Sequence, residues 1–142
     1  NGAYMRNISF KENVIVAKDA SQITLKIYSL VADDPLLFGS SDSNYYCRPV
    51  SEGNTIQTRN VNTVIDYSLT SWKGTGNDAH SYSSPLTLTN EADIRFEYNA
   101  SATNKTVNFL GLKYIDAKGN AHINSIVIQP YTSSVLMRDV SF

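Results

Sequence analysis

Asp93-Ile94-Arg95-Phe96-Glu97-Tyr98-Asn99 alternates charged or polar side chains with apolar and aromatic ones without a break. Successive side chains of a strand point to opposite faces, so this period of two is a half-buried β-strand with one wet face. Short apolar or β-branched runs follow it at residues 106–109, 112–115, 123–128 and 134–140. Asp116-Ala117-Lys118-Gly119-Asn120 lies among them as a hairpin loop, with glycine where positive φ costs little. Short strands at such regular spacing read as an antiparallel meander or small sandwich over residues 85–142.

Upstream of Ser84-Pro85 the texture differs. Asn13-Val14-Ile15-Val16-Ala17 and Ile23-Thr24-Leu25-Lys26-Ile27-Tyr28 are β-branched strand signals. Asn44-Tyr45-Tyr46-Cys47-Arg48, Thr55-Ile56-Gln57-Thr58 and residues 61–67 are the next three. Gly39-Ser40-Ser41-Asp42 and Ser51-Glu52-Gly53-Asn54 read as turns between them. One helical turn is expected, with Ser68 capping Leu69-Thr70-Ser71-Trp72-Lys73 and Gly74 ending it. The connections are long and polar, and Asn recurs before or within strands at Asn7, Asn13, Asn44, Asn60 and Asn62. Polar residues stacked at turns are a habit of β-solenoids. The expected fold class is therefore all-β. Residues 1–84 form short parallel β-helix-like coils ending in a short helical turn, and residues 85–142 form an antiparallel β-unit packed against them.

The chain has 142 residues, 12 Lys+Arg against 13 Asp+Glu, and only 18% charged residues. No positive field exists to hold a phosphate backbone, which excludes nucleic acid as a partner. No apolar run approaches the roughly 20 residues that span a bilayer, so no membrane is expected. A hydrophobic content of 42% excludes a disordered chain. Cys47 is alone, so neither an intramolecular disulfide nor a Cys-based zinc site is possible, and it reads as a buried small hydrophobe. Opening on Asn1-Gly2-Ala3-Tyr4, with neither initiator Met nor signal peptide, the chain reads as an excised or processed piece.

Tyr45, Tyr46, Tyr67, Trp72 and Tyr82 concentrate in the first part. A sugar ring presents an apolar C–H face that stacks on a flat aromatic, while nearby polar groups bond its hydroxyls. Arg48, Asp78, His80 and Asn44 supply such polar groups. The competing reading places these rings in the core. In Tyr45-Tyr46 the neighbours point to opposite faces, so one is expected inside and the other outside. Asp78-Ala79-His80-Ser81 suits either a general-base pair or a polar network that pins a loop. Asp33, Asp34 and Asp42 offer a calcium site, although Asp33-Asp34-Pro35 reads better as a turn. Neither a phosphate-binding glycine loop nor a His/Cys metal cluster is present, His122 reads as a surface or edge residue, and no catalytic residue or cofactor is assigned.

The stretch from Asn13-Val14-Ile15-Val16 through Phe38-Gly39-Ser40-Ser41-Asp42-Ser43-Asn44-Tyr45-Tyr46-Cys47-Arg48-Pro49 resembles the last coils of secreted right-handed parallel β-helix proteins. The segment 68–73 followed by Gly76-Asn77-Asp78-Ala79-His80-Ser81 is similar to the end of such helices. Gln129-Pro130-Tyr131-Thr132-Ser133-Ser134-Val135-Leu136-Met137 resembles the last strand of β-domains that terminate many polysaccharide-acting enzymes. The resemblance implies a bacterial protein of polysaccharide breakdown, secreted or periplasmic or at the cell surface, joined to a larger catalytic protein. A full β-helix enzyme needs many coils, with its groove on the central ones. The leading expectation is thus non-catalytic binding of a plant cell-wall polysaccharide. Tyr45, Tyr46, Trp72 and Tyr82 would be the stacking platforms, and Arg48, Asp78 and His80 the polar contacts. The alternatives are the C-terminal fragment of a β-helix glycoside hydrolase or polysaccharide lyase, or a cap on a longer solenoid.

Overall fold

The structure, a computed structural model, describes residues 4–30 and 34–142. The chain divides into two compact units, Asn1–Ser83 and Ser84–Phe142.

In the first unit the strands are β1 (Ile8–Lys11), β2 (Val14–Val16), β3 (Leu25–Ser29), β4 (Gly39–Asp42), β5 (Tyr45–Cys47), β6 (Ile56–Asn60) and β7 (Thr63–Tyr67). β1 pairs with β4, β2 with β5 and β3 with β6, all parallel. The partners stand 31 residues apart, as Asn13 and Asn44 do. One corner is built twice at that spacing. Glu12 (φ 60°) and Ser43 (φ 57°) are both left-handed, and each is followed by an Asn that opens the next strand. The Asn44 Oδ1 accepts from both the backbone N and the Nδ2 of Asn13, at 2.9 and 3.0 Å. On the other side, the Asn44 N donates to Ser81 Oγ at 2.8 Å. Asn13, Asn44 and Ser81 therefore form a polar stack that satisfies backbone groups a turn would otherwise orphan. Residues 78–82 lie along β4 and β5 as a further rung. Asp78 N donates to Ser41 O, Tyr82 N to Asn44 O and Tyr46 N to Tyr82 O, at 2.7 to 2.8 Å.

The parallel pattern ends at β7, which turns back antiparallel on β6. Helix α1 (Leu69–Lys73) follows, with the Ser68 Oγ accepting from Ser71 N and Gly74 as its C-cap. Leu69 and Trp72, one helical turn apart, are its buried residues and join Ile27, Phe38, Tyr46 and Ile56 in the core.

Gly39-Ser40-Ser41-Asp42, expected as a turn, is strand β4. Its composition hides the strand, because it carries no apolar side chain. It is a strand because its backbone is the partner of β1. At Gly39 (φ 151°) a Cβ would sit 2.0 Å from the Ile8 carbonyl oxygen, so the approach of the two chains excludes any side chain.

The second unit holds β8 (Ile94–Tyr98), β9 (Lys105–Asp116), β10 (Ala121–Ile128) and β11 (Ser133–Arg138), in the antiparallel order β10-β9-β11-β8. Residues 106–109 and 112–115 are one strand rather than two. Leu110 (φ 53°) and Gly111 (φ 86°) kink it, and the β10 register shifts across from Ile123 to Ser125, a bulge that keeps the pairing going. The loop at 116–120 is present, closed by the Asp116 carboxylate accepting from the backbone N of Lys118 and Asn120, each at 2.9 Å. Its Gly119 has φ 88°. Val107, Phe109, Tyr114, Ile128 and Leu136 form the core. The fold is all-β, with small sheets that do not close on themselves. Among the described residues no helix is long and apolar enough to cross a membrane.

Gly39→Ala is expected to lower unfolding free energy by about 2–3 kcal/mol, the scale of a forced backbone shift. Gly53→Ala, where a Cβ meets nothing within 4 Å, is expected to change it by less than about 0.5 kcal/mol. Urea denaturation of the two variants measures the contrast, and equal midpoints would contradict the close approach.

Candidate functional site

The residues singled out from the sequence separate into an inner and an outer group. Asp78 is 1% exposed and left-handed at φ 53°. Its carboxylate accepts from Trp72 Nε1 at 2.7 Å, Tyr46 Oη at 3.1 Å, Asn44 Nδ2 at 2.9 Å and Ser81 Oγ at 2.5 Å. Tyr46 and Trp72 have no exposed surface at all. Burial pushes the Tyr46 hydroxyl above its ordinary range, with hydrogen bonds and the neighbouring Asp78 charge as smaller influences.

The expectation of Tyr46 and Trp72 as platforms is corrected: their faces are covered by the core, and their polar tips are spent on Asp78. Asp78 itself is likewise an interior acceptor rather than a ligand contact. Arg48, also expected at a ligand, is 2% exposed. Its Nε donates to Gln22 O at 2.6 Å, and its two terminal nitrogens donate to Ala20 O and Ser51 O. A guanidinium with its fork filled by three carbonyls is a clip between loops.

Tyr45, Tyr82 and His80 form the outer group. The ring of Tyr82 stacks on that of the half-buried Tyr45, with centroids 5.0 Å apart and planes 20° from parallel. Tyr82 remains 56% exposed. Of Tyr45-Tyr46, then, the first faces out and the second in. His80 points outward and bonds Asp42, not Asp78. Its backbone N donates to Asp42 Oδ1, and its Nδ1 lies 2.8 Å from Oδ2. The two His80 hydrogen bonds hold the Asp42 carboxyl down at about 2. Ser81 Oγ is buried and shared between Asp78 and the Asn44 amide, so the Asp78-to-Ser81 string is a loop anchor with one outward histidine. Beside Tyr82 runs a shallow groove of about 390 Å³, edged by Glu52, Ser68, Thr70, Lys73 and Ser83. Lys73 Nζ donates to Ser81 O at 2.7 Å.

The calcium expectation finds no shared centre. Asp33 lies outside the described residues. Asp34 is buried against Arg6 and accepts from Ser29 Oγ at 2.8 Å, while Asp42 serves His80. Among the described residues no three His, Cys, Asp or Glu side chains cluster as for a metal ion. Cys47 is fully buried, and His122 is partly buried with Nε2 3.1 Å from Asp116 Oδ2.

Comparison with protein-family models, with curated proteins and with solved structures gives no match for this chain.

Phe96, Tyr98 and Tyr131 are exposed rings to which the sequence assigned no site. The alternation of β8 does put Phe96 and Tyr98 on one face. Which face is wet is decided by its partner β11, where Arg95 stands beside the fully buried Leu136. The charged face turns inward, and Glu97 is screened there by Arg95 at 2.5 Å and Lys105 at 3.0 Å.

A carboxyl whose folded pKa is depressed adds stability above its unfolded pKa, near 4 for Asp, and loses it as pH falls through the folded value. For Asp42 that window runs from about pH 4 down to about 2. Asp42→Asn is therefore expected to be less stable than the parent at pH 6, with the gap in urea midpoint closing toward pH 2. A gap independent of pH would contradict the His80–Asp42 bond.

Proposed function

We propose that this chain binds neutral plant cell-wall polysaccharide without catalysing its breakdown, as a module of a larger secreted or periplasmic bacterial protein that degrades it. The observation that carries this reading is the outward Tyr45–Tyr82 stack beside a groove edged by the hydroxyls of Ser68, Thr70 and Ser83 together with Glu52 and Lys73. With one face resting on Tyr45, Tyr82 is held in a fixed plane and offers its remaining surface to the C–H face of a sugar ring. Pre-set rings bind without losing rotamer freedom at the moment of contact. Ser68, Thr70 and Ser83 along the groove, with Glu52 and Lys73 beside them and His80 two residues from Tyr82, are side chains able to bond sugar hydroxyls. The low charge of the chain agrees with a neutral polymer. A single ring with a few hydroxyl bonds gives weak affinity, which repetition along a polysaccharide multiplies.

A second reading has its own observation. Among the described residues β1, β2 and β3 are each paired on one side only, all within one 31-residue register. Unpaired strand edges invite further strands. Terminal coils of a longer parallel β-helix, capping a glycoside hydrolase or polysaccharide lyase, would have this form. Release of reducing sugar by the 142-residue chain would favour that enzymatic reading.

Affinity electrophoresis in gels containing glucomannan, arabinoxylan or mixed-linkage β-glucan tests the binding reading. The parent chain should be retarded by at least one glycan, and Tyr82→Ala should weaken the affinity at this site about tenfold, or about 1.4 kcal/mol. Leu36→Ala, an exposed apolar residue elsewhere in the unit, should change nothing. Mobility unaffected by every glycan would refute the reading.

A further inference from the structure

In the second unit, Phe96, Tyr98 and Tyr131 are 62%, 60% and 74% exposed. The rings of Phe96 and Tyr98 are near-parallel, 21° apart in plane with centroids at 6.1 Å. Together with Tyr131 they line a shallow groove of about 550 Å³, completed by Asn99, Ala100, Thr132 and Ser133. No lining residue carries a charge. Lys105, whose Nζ stands 5.8 Å from the Tyr98 ring, is matched by Glu97 and by the Tyr98 carbonyl oxygen, each at 3.0 Å.

The frame of this groove is fixed by Asn99, 3% exposed. Its Nδ2 donates to Thr103 O at 2.7 Å and to Ile128 O at 3.0 Å, and its backbone N donates to Thr132 O at 2.9 Å. Thr132 in turn donates from Oγ1 to Gln129 O at 2.9 Å. Tyr131 sits inside this bonded loop at φ 56°, a left-handed conformation that costs a bulky residue roughly 1 kcal/mol or more. A large ring held outward at that cost, beside two others, is a preorganised surface.

We infer that this groove is a second carbohydrate-binding site, taking a neutral glycan by ring stacking, independently of Tyr82. The three aromatic faces call for a flat apolar partner. The hydroxyls of Tyr98, Tyr131, Thr132 and Ser133 call for a partner with its own hydroxyls at the edge. A neutral sugar ring has both. A purely apolar segment would strip water from those hydroxyls without replacing it. A phosphate, carboxylate or ammonium group would find no opposite charge. The volume lies in the range of small-molecule sites.

The test is affinity electrophoresis of the full chain in gels of glucomannan, arabinoxylan or mixed-linkage β-glucan, with polygalacturonate as the charged control. Circular dichroism checks that each variant is folded. Tyr82→Ala should remain retarded by at least one neutral glycan and not by polygalacturonate. Adding Tyr98→Ala and Tyr131→Asn (Asn tolerates the left-handed backbone) should weaken the residual affinity at least tenfold. Residual retardation unchanged by the two added substitutions overturns the inference. So does retardation lost entirely with Tyr82→Ala, which leaves the first site standing. Retardation insensitive to Tyr82→Ala but lost with Tyr98→Ala and Tyr131→Asn supports the second site and removes the first. A self-association in sedimentation that Tyr98→Ala abolishes would make the occupant a second copy and overturn the glycan.

Discussion

The Asp78 carboxylate lies out of reach of water and is met by donors from separate stretches of chain: Asn44 and Tyr46 around β5, Trp72 from α1, and Ser81 from its own loop. Burying a carboxylate is costly unless its lone pairs are answered. Here four donors answer them, and each ties one element to the others. Through Asn44 the bond reaches the 31-residue stack with Asn13 and so the corner shared by β1–β2 and β4–β5. Through Trp72 it fixes α1 over Ile27, Phe38 and Ile56. The backbone of the same loop lies along β4 and β5 and ends on Tyr82. The position of the outer ring therefore depends on the inner carboxylate.

That dependence sorts the aromatic residues by their tips. Tyr46 and Trp72 are inside because an acceptor waits there for the O–H and N–H. Tyr45 and Tyr82 rest on each other and look outward. The second unit uses Asn99 in a related way, with a buried amide bonding backbone carbonyls and exposed rings at the rim. In both units a buried polar side chain stiffens a loop, and the loop presents tyrosine. Rigid rings on stiff loops are suited to weak, repeated contact with a polymer.

Much of this was legible in the sequence, and the gaps have physical causes. Strands with β-branched or alternating residues, the Ser68 cap and the 116–120 loop are local signals, read from neighbours in the chain. β4 was not legible, because Gly39-Ser40-Ser41-Asp42 is a strand only through its partner β1. The 31-residue spacing was also hidden. It is carried by backbone pairing and by one Asn pair, while Asn60 and Asn62 recur outside that stack. Which face of β8 is wet was not legible, because charge normally marks the wet side. Arg95 and Glu97 neutralise each other, which lets that face turn inward and leaves Phe96 and Tyr98 outside. Arg48 and Asp78 looked like ligand contacts because residue type alone does not say whether a charged group faces carbonyls, donors or solvent.

That the Asp78 carboxylate is the joint of the first unit is tested most directly by a double-mutant cycle in urea denaturation. Trp72→Phe keeps an aromatic ring, though a smaller one, and removes the N–H donor, and Asp78→Asn keeps the shape and removes the charge. If the bond between Trp72 Nε1 and Asp78 works within one network, the two losses are coupled by at least about 1 kcal/mol. Losses that add to within about 0.3–0.5 kcal/mol would show two independent sites and contradict it.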